Sequence, residues 1–344
     1  MPSDNDGTAK PQTSKSSEGA SSPMAQASRK IKSTAGSVAN QVQNGVKKLV
    51  PQTEFYWPEW VAPLSTPISR RRQTLVVLLF LSMQSLSVVL TVTMLYNIMY
   101  TWWFMIPYLT WVYVFDAEGP KRPGRRQKWF RDLPLMKWFA DYFPISLHKT
   151  VDLDPKRNYL FAYHPHGIIG IGVVTSFGTN SRGVDEMFPG IQISPMTLST
   201  NFRFPFYRDY LMALGFADVG RTSINNHLGP TAKPGSSCLI VVGGAAEALD
   251  AIPETMDLTV LKRKGFVKMA IRNGAPLVPV IGFGENNLWD QVPNPRGSDL
   301  RERQNGIMKR LGFSTPLLFG RGVFQYRYGI VPYRAPVHVV GTYI

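Results

Sequence analysis

The pattern of apolar and polar positions divides the chain into five stretches. Residues 1–28 are rich in Ser, Gly, Pro, Ala and Lys and nearly lack large apolar side chains. Such a tail cannot offset its ordering entropy by burial and is expected to be disordered. Over 29–50, Ile31, Ala35, Val38, Val42, Val46 and Leu49 recur at steps of three or four and would line one face of a helix. With Lys30, Lys32, Lys47 and Lys48 near its ends, an amphipathic helix there suits reversible attachment to a lipid surface. A solvated segment with accidental periodicity is the competing reading, and Gly36 and Gly45 make the helix marginal unless a surface induces it. Residues 51–72 set Phe55, Tyr56, Trp57 and Trp60 among prolines and end in Arg70, Arg71 and Arg72, which reads as an interfacial linker.

Residues 73–115 contain no charged side chain. A helix crossing the hydrocarbon core needs about 20 residues, so this stretch is too long for one span and suits two. Leu75 to Leu95 supplies the first and Trp102 to Phe115 a shorter second, with Asn97, Tyr100 and Pro107 marking the turn or broken part. Arg70 to Arg72 precede the stretch, and Lys121, Arg122, Arg125, Arg126 and Lys128 follow it. The positive-inside tendency then predicts a transmembrane or re-entrant hairpin with both flanks cytosolic. A cleaved signal peptide does not fit, since the apolar run begins far from Met1 and is too long.

From 116 to 344 the periodicity becomes that of an α/β domain facing the cytosol. Strands are predicted near 158–163, 192–198, 216–219, 238–242, 259–262 and 277–281, and helices near 168–176, 205–214, 266–273 and 298–311. This alternation implies a largely parallel sheet flanked by helices, with the working loops at the strand C-terminal edge.

Composition narrows the partners. The net charge of +15 points to an anionic one: nucleic acid, a phosphate-bearing substrate, or the acidic cytoplasmic face of a membrane. The apolar stretch favours the last two, and no motif supports nucleic acid. Cys238 is the only cysteine, so an intramolecular disulfide is excluded, and its apolar surroundings read as a buried strand rather than a nucleophile's setting.

The chemistry concentrates at His164-Pro165-His166-Gly167, where a predicted strand runs into a tight loop. The chain has five histidines, and two of them flank one proline. Either imidazole can take a proton from a hydroxyl near neutral pH. Pro165 fixes the backbone between the rings and Gly167 permits a turn. A pair of structural turn histidines is the bland alternative. A metal pair would need a third ligand from His227, Glu247 or Asp250, and no spacing supports one. No Gly-x-Ser-x-Gly elbow or Walker loop is present, and Gly170-Ile171-Gly172 lacks the third glycine of a dinucleotide fingerprint.

Three further clusters stand at predicted strand ends. After Gly243-Gly244, Glu247 is placed to orient a histidine, to hold a substrate hydroxyl, or merely to complement a helix dipole. Arg263, Lys264 and Lys268 could neutralise phosphates at a helix start; a plain solvated basic face is the usual reading of such a run. Leu277 to Ile281 reads as a buried strand ending near Gly284-Glu285.

Together His164-Pro165-His166-Gly167, Tyr142-Phe143-Pro144, Phe188-Pro189-Gly190, the Gly243-to-Leu249 block, Arg263 to Lys268 and Phe283-Gly284-Glu285-Asn286 resemble, in order, the diacylglycerol acyltransferase 2 family. That family includes monoacylglycerol acyltransferases and wax synthases. The resemblance runs from about Arg72 to Val340 and implies a glycerolipid-acyltransferase-like α/β fold. It implies an endoplasmic-reticulum membrane enzyme, with lipid droplets as a second location, that moves a fatty acyl group from acyl-coenzyme A to a glyceride hydroxyl. Diacylglycerol is the expected acceptor and monoacylglycerol the alternative; acyl-coenzyme A enters as co-substrate, with no further cofactor or metal. In related glycerolipid acyltransferases an aspartate follows the histidine by a few residues. Here Gly167-Ile168-Ile169-Gly170 follows, so Glu247 is the expected partner. His164 or His166 is then the base, Pro165 and Gly167 shape the oxyanion turn, and Arg263, Lys264 and Lys268 hold the coenzyme phosphates. Family members continue past Val339-Val340-Gly341, so a shortened product is expected here; a non-catalytic lipid-binding scaffold is the rival, and a homo-oligomer stays open.

Overall fold

The computed structural model describes residues 66–323 and 328–341. The polar tail, the 29–50 helix and the linker up to residue 65 lie outside the described residues. Nine strands occur among the described residues: β1 (Ile145–Lys149), β2 (Leu160–His164), β3 (Gln192–Thr197), β4 (Ala217–Asp218), β5 (Ser236–Val241), β6 (Leu277–Phe283), β7 (Asp290–Gln291), β8 (Leu318–Phe319) and β9 (Val337–Gly341). Seven form one sheet in the order β1-β9-β6-β2-β5-β3-β4, and β7 pairs with β8 in a separate ribbon.

β2 lies between β5 and β6, both parallel to it, with Leu160 opposite Cys238 and Leu277. Its side chains alternate between two cores. Phe161 and Tyr163 join Leu239, Val278 and Val280, while Leu160 and Ala162 join Cys238, Ile240 and Met269. A strand apolar on both faces belongs in the middle of a sheet covered on both sides, and β2 is buried throughout. β9 runs antiparallel to β6, and β1 pairs parallel with β9, so β1 and β9 oppose the other five.

The predicted strand at 259–262 does not form. Thr259 turns its N–H to the Glu247 carboxylate instead, and Lys262 to Lys264 stay exposed, so the stretch has no sheet partner. Strands β1, β7, β8 and β9 and, among the longer helices of the domain, Pro134–Tyr142 and Arg221–Leu228 were not anticipated from the pattern. The helix sequence RTSINNHL is polar and rich in weak helix formers, and it is held by burying one face through Ser223, Ile224, His227 and Leu228.

The apolar stretch begins as one helix, Ile68–Tyr96, followed by a shorter one, Ile98–Thr110, which contains Pro107 and ends in a π turn at Trp111–Phe115. Among the described residues only the first is long and apolar enough to cross a membrane, and just 17% of its most apolar window is buried. Its N-terminal half is anchored to the domain, since Val76 and Val77 are buried and Phe80 stacks on Phe139 with centroids 4.1 Å apart. The shorter helix docks through Tyr108, whose hydroxyl donates to Asp209 at 2.5 Å and accepts from Phe206 N–H at 2.6 Å.

Arg208 closes this junction. Its guanidinium is 1% exposed and donates to Val112 O at 3.0 Å, Asp116 O at 2.8 Å and Asp116 Oδ2 at 3.0 Å. Removing one partner of a buried ion pair typically costs about 3–5 kcal/mol. Arg208→Met is expected to lower the unfolding midpoint of the detergent-solubilised protein by the equivalent of that loss; an unchanged midpoint would show that the junction carries no stability.

Candidate active site

β2 delivers His164 to the strand-end rim, with its Cα opposite Ile281 of β6, and Val242 N–H donates to Tyr163 O on the other side. The loop that follows therefore starts between two strands ending at the same level. Its His164–Pro165 peptide is cis, and Gly167 at φ +58° and Gly170 at φ +70° take left-handed conformations that a Cβ would disfavour.

Glu247, 2% exposed, gathers this loop. Its Oε1 accepts from His164 Nδ1 at 3.0 Å and from Thr259 N–H at 2.7 Å, and its Oε2 accepts from the His166 backbone N–H at 3.0 Å. Burial by itself would push this carboxyl group up. Hydrogen bonds from His164, Thr259 and His166 outweigh it and hold the group below its ordinary value. An ionised carboxylate can only accept, so neutral His164 carries its proton on Nδ1 and leaves a lone pair on Nε2.

Gly243 makes the arrangement sterically feasible. A Cβ there would sit inside the Glu247 carboxyl group, so the side chain folds back through space that only glycine leaves open. Gly244, at φ +57°, completes the turn into the short helix Ala245–Leu249.

His166 is placed differently. Its ring is half-buried with Nδ1 3.1 Å from Gly167 O, and burial lowers its pKa, favouring the neutral ring. His164 and Glu247 are thus joined through side chains, whereas His166 meets Glu247 through its backbone.

The basic cluster shares the rim. Arg263 Nη2 donates to Gly243 O at 3.3 Å. Lys264 and Lys268 are exposed at the start of the helix Gly265–Asn273 and make no ion pair among the described residues. Because this helix leads into β6, its N-terminus lies on the same side as His164. Neither of the other candidate ligands comes to the site: buried His227 holds Ser223 O through Nδ1 at 2.8 Å, and Asp250 is paired with Arg296 and Arg301. Cys238 is fully buried and its thiol pKa is pushed up, as expected for a core residue.

A second buried acid lies on the opposite face of β2. Glu285 Oε2 accepts from Tyr163 OH and Gly172 N–H, each at 2.9 Å. Gly167, Gly172 and Gly282 surround this pair, and a Cβ at Gly167 would come within 2.6 Å of Glu285 Cγ. Burial raises the Glu285 pKa to about 7 despite hydrogen bonds from Gly172, Tyr163 and the Ile171 backbone. Tyr163 was hidden in the sequence within an apolar strand; the Gly284-Glu285 step at the end of β6 was its only visible signal.

An α/β protein with a carboxylate-tethered histidine at the rim of a mostly parallel sheet is the class that fold and site define. The family described as Diacylglycerol acyltransferase matches residues 93–344. The chain is 47% identical to Diacylglycerol O-acyltransferase 2A of Umbelopsis ramanniana over 279 residues, covering 81% of this chain and 78% of that one. It is 45% identical to 2-acylglycerol O-acyltransferase 1 of Bos taurus, over 81% of this chain and 83% of that one. It is 44% identical to Diacylglycerol O-acyltransferase 2 of Dictyostelium discoideum, over the same shares of the two chains, 81% and 83%. No solved structure matches it. The chain belongs to the diacylglycerol acyltransferase family.

Two outcomes follow from the geometry. Gly243→Ala should displace the Glu247 carboxylate and lower turnover about as much as Glu247→Gln, by about 10²- to 10⁴-fold in kcat if the tethered imidazole is the base; near-normal kcat in both would separate Glu247 from His164's work. Glu285 keeps its proton up to about pH 7, against an ordinary 4.5. The folded state therefore binds more protons between these values, so the contribution to stability is full below pH 4.5 and is lost as pH rises through 7. Glu285→Gln, uncharged throughout, should flatten this slope in unfolding midpoints measured across that range.

Proposed function

We propose that this chain is an acyl-coenzyme A-dependent O-acyltransferase that acylates the hydroxyl of diacylglycerol to form triacylglycerol. The observation that carries the proposal is the Glu247–His164 pair at the rim of β2, in a chain of the diacylglycerol acyltransferase family. His164 Nε2 takes the acceptor's hydroxyl proton as the oxygen attacks the thioester carbonyl. Glu247 holds Nδ1–H and stabilises the imidazolium that forms. Backbone N–H groups around Gly167 stabilise the oxyanion, an effect often worth about 2.7–4 kcal/mol per donor. The tetrahedral intermediate then breaks its C–S bond, and the departing thiolate takes the proton from His164, which restores the neutral ring.

Arg263, Lys264 and Lys268 hold the coenzyme phosphates beside the start of the helix Gly265–Asn273, where unpaired N–H groups add positive potential. The segment 73–115 forms a hairpin in the endoplasmic-reticulum membrane with both flanks cytosolic, and the domain from 116 onward faces the cytosol. Exposed Tyr96, Tyr100, Trp102, Trp103 and Trp111 support this reading, since such side chains settle at the membrane–water interface. Acyl chains of both substrates reach the rim from the bilayer, and newly formed triacylglycerol accounts for movement to lipid droplets. Monoacylglycerol as acceptor is the second reading, favoured by the name of the bovine relative, 2-acylglycerol O-acyltransferase 1.

Microsomes carrying this chain, given labelled oleoyl-coenzyme A with diacylglycerol, monoacylglycerol or a long-chain alcohol, should form triacylglycerol, and His164→Ala should lower that rate by about 10²- to 10⁴-fold. A His166→Ala variant should retain more activity than His164→Ala. Product from monoacylglycerol alone would establish the second reading. Membrane-bound protein without product from any acceptor would favour a non-catalytic scaffold.

A further inference from the structure

The exits of β2, β3, β5 and β6 carry apolar side chains that neither the sheet nor the Glu247–His164 pair requires. Exposed large ones follow each of these four strands: Ile169 after β2, Leu198 after β3, Leu258, Val260 and Leu261 after β5, and Phe283 at the end of β6. At the opposite edge, segments 188–191, 229–235 and 274–276, which lead into β3, β5 and β6, carry no exposed large apolar side chain. Apolar exposure concentrated on one edge of a sheet marks a surface that meets something other than water. The stretch 256–261 contributes most to it. Part of this stretch has the composition of a strand, yet it has no sheet partner, and Leu261 is 90% exposed. It is nevertheless fixed at the rim, since Thr255 O accepts from Asn286 Nδ2 at 2.9 Å and Thr259 N–H donates to Glu247 at 2.7 Å.

We propose that the loop 256–261 inserts into the lipid bilayer as a membrane contact separate from the apolar helices, with Lys262 against the headgroup phosphates. The inference builds on the acyltransferase reading and adds how the rim meets its lipid substrate. Charge is one reason to name a bilayer as the occupant. The apolar loop runs directly into Lys262, Arg263 and Lys264, all exposed, and Lys262 makes no ion pair among the described residues. Apolar side chains followed at once by cations suit a segment that lies in the interface, its tip in hydrocarbon and its base among phosphates. Continuity with the apolar helices is the other reason. The segment leaving β3 carries Leu198 and then receives the helix Ile98–Thr110 and its π turn: Tyr113 OH donates to Arg203 O at 2.8 Å, and Tyr108 OH accepts from Phe206 N–H at 2.6 Å. β3, β5 and β2 run parallel, so these contacts hold that helix at the same edge of the sheet as the loop.

Membrane contact and catalytic geometry meet in one residue. Thr259 lies between exposed Leu258 and Val260, and its N–H is one of the three donors that hold the Glu247 carboxylate. A bilayer that takes up the flanking side chains steadies the segment that positions Glu247. The acceptor then passes from lipid to His164 without crossing water.

The test places an environment-sensitive fluorophore on the full chain in nanodiscs of phosphatidylcholine and phosphatidylserine. Cys238 is fully buried, so the label goes to the new thiol of Leu261→Cys. Spin-labelled lipid should quench this probe more strongly than aqueous iodide does, and a probe at Lys233→Cys, on the opposite edge of the sheet, should show the reverse order. Leu258→Asp combined with Leu261→Asp should raise the KM for bilayer-borne dioleoylglycerol about tenfold, the scale of burying one large apolar side chain. The same pair should leave the KM for oleoyl-coenzyme A and the turnover of water-dispersed dihexanoylglycerol unchanged, and Leu258→Phe with Leu261→Phe should behave as the unaltered chain does. Stronger quenching by iodide at 261, protection from both quenchers, or equal lipid quenching at 261 and 233 would overturn the proposal. So would an equal loss with the water-dispersed acceptor, which would make the loop a wall of the acceptor's pocket. Quenching needs no turnover, so failure of membrane contact is distinguishable from failure of the acyltransferase reading.

Discussion

The Glu247 carboxylate is the contact on which the rim depends. It is a buried anion, so it requires donors, and it takes them from three separate places: the His164 ring, the backbone of His166 and the backbone of Thr259. Two of the donors belong to the end of β2 and the loop after it, and the third to the stretch before the helix Gly265–Asn273, so satisfying one charge, itself on the turn after β5, ties three segments together. The requirement runs backwards into the sequence as well. The carboxylate can occupy its place only because Gly243 has no side chain there. Charge burial, loop geometry and the choice of glycine are one constraint seen from three sides.

β2 makes use of both its faces. Tyr163 projects to one side and meets Glu285, while the next residue, His164, meets Glu247 on the other. The two acids differ in their surroundings. Glu247 is held below its ordinary value by hydrogen bonds from His164, Thr259 and His166, whereas at fully buried Glu285 desolvation outweighs its donors and the pKa rises to about 7. The ionised acid orients an imidazole, and the second packs beneath the histidine loop against Gly167. A parallel sheet suits this division because its strand ends all open onto one rim.

The short apolar helix Ile98–Thr110 and the turn after it are held to the domain by polar contacts as much as by apolar ones. Arg208 and Asp116 pair inside the protein, and the Tyr108 hydroxyl bridges to Asp209 and Phe206. Such bonds gain strength where water is scarce, and their directionality fixes how the short helix Ile98–Thr110 sits on its support. The aromatic side chains left outside, from Tyr96 to Phe115, are those that an interface with lipid would accept.

The sequence by itself determined the central strands, the two-histidine loop at the end of β2 and the Gly243-to-Glu247 block, because period-two alternation and the glycine, proline and histidine steps are local signals. It also set the apolar stretch and the family resemblance. Glu247 was the expected partner of one of the two histidines, His164 or His166, and the structure joins its carboxylate to the His164 ring across 83 positions of chain. What the pattern could not contain was decided by tertiary contacts. Thr259 to Lys262 has the composition of a strand, yet a buried charge elsewhere claims its N–H. The helix Arg221–Leu228 has little propensity of its own, and packing supplies what propensity lacks. β9 joins the sheet beside β6 in the opposite sense, although nothing within its own residues specifies a neighbour. Tyr163 reads as one more apolar strand residue until Glu285 arrives from 122 positions away. The physical reason is common to all four: the deciding energy is the satisfaction of a group by a partner distant in sequence, and only the folded chain brings that partner within reach.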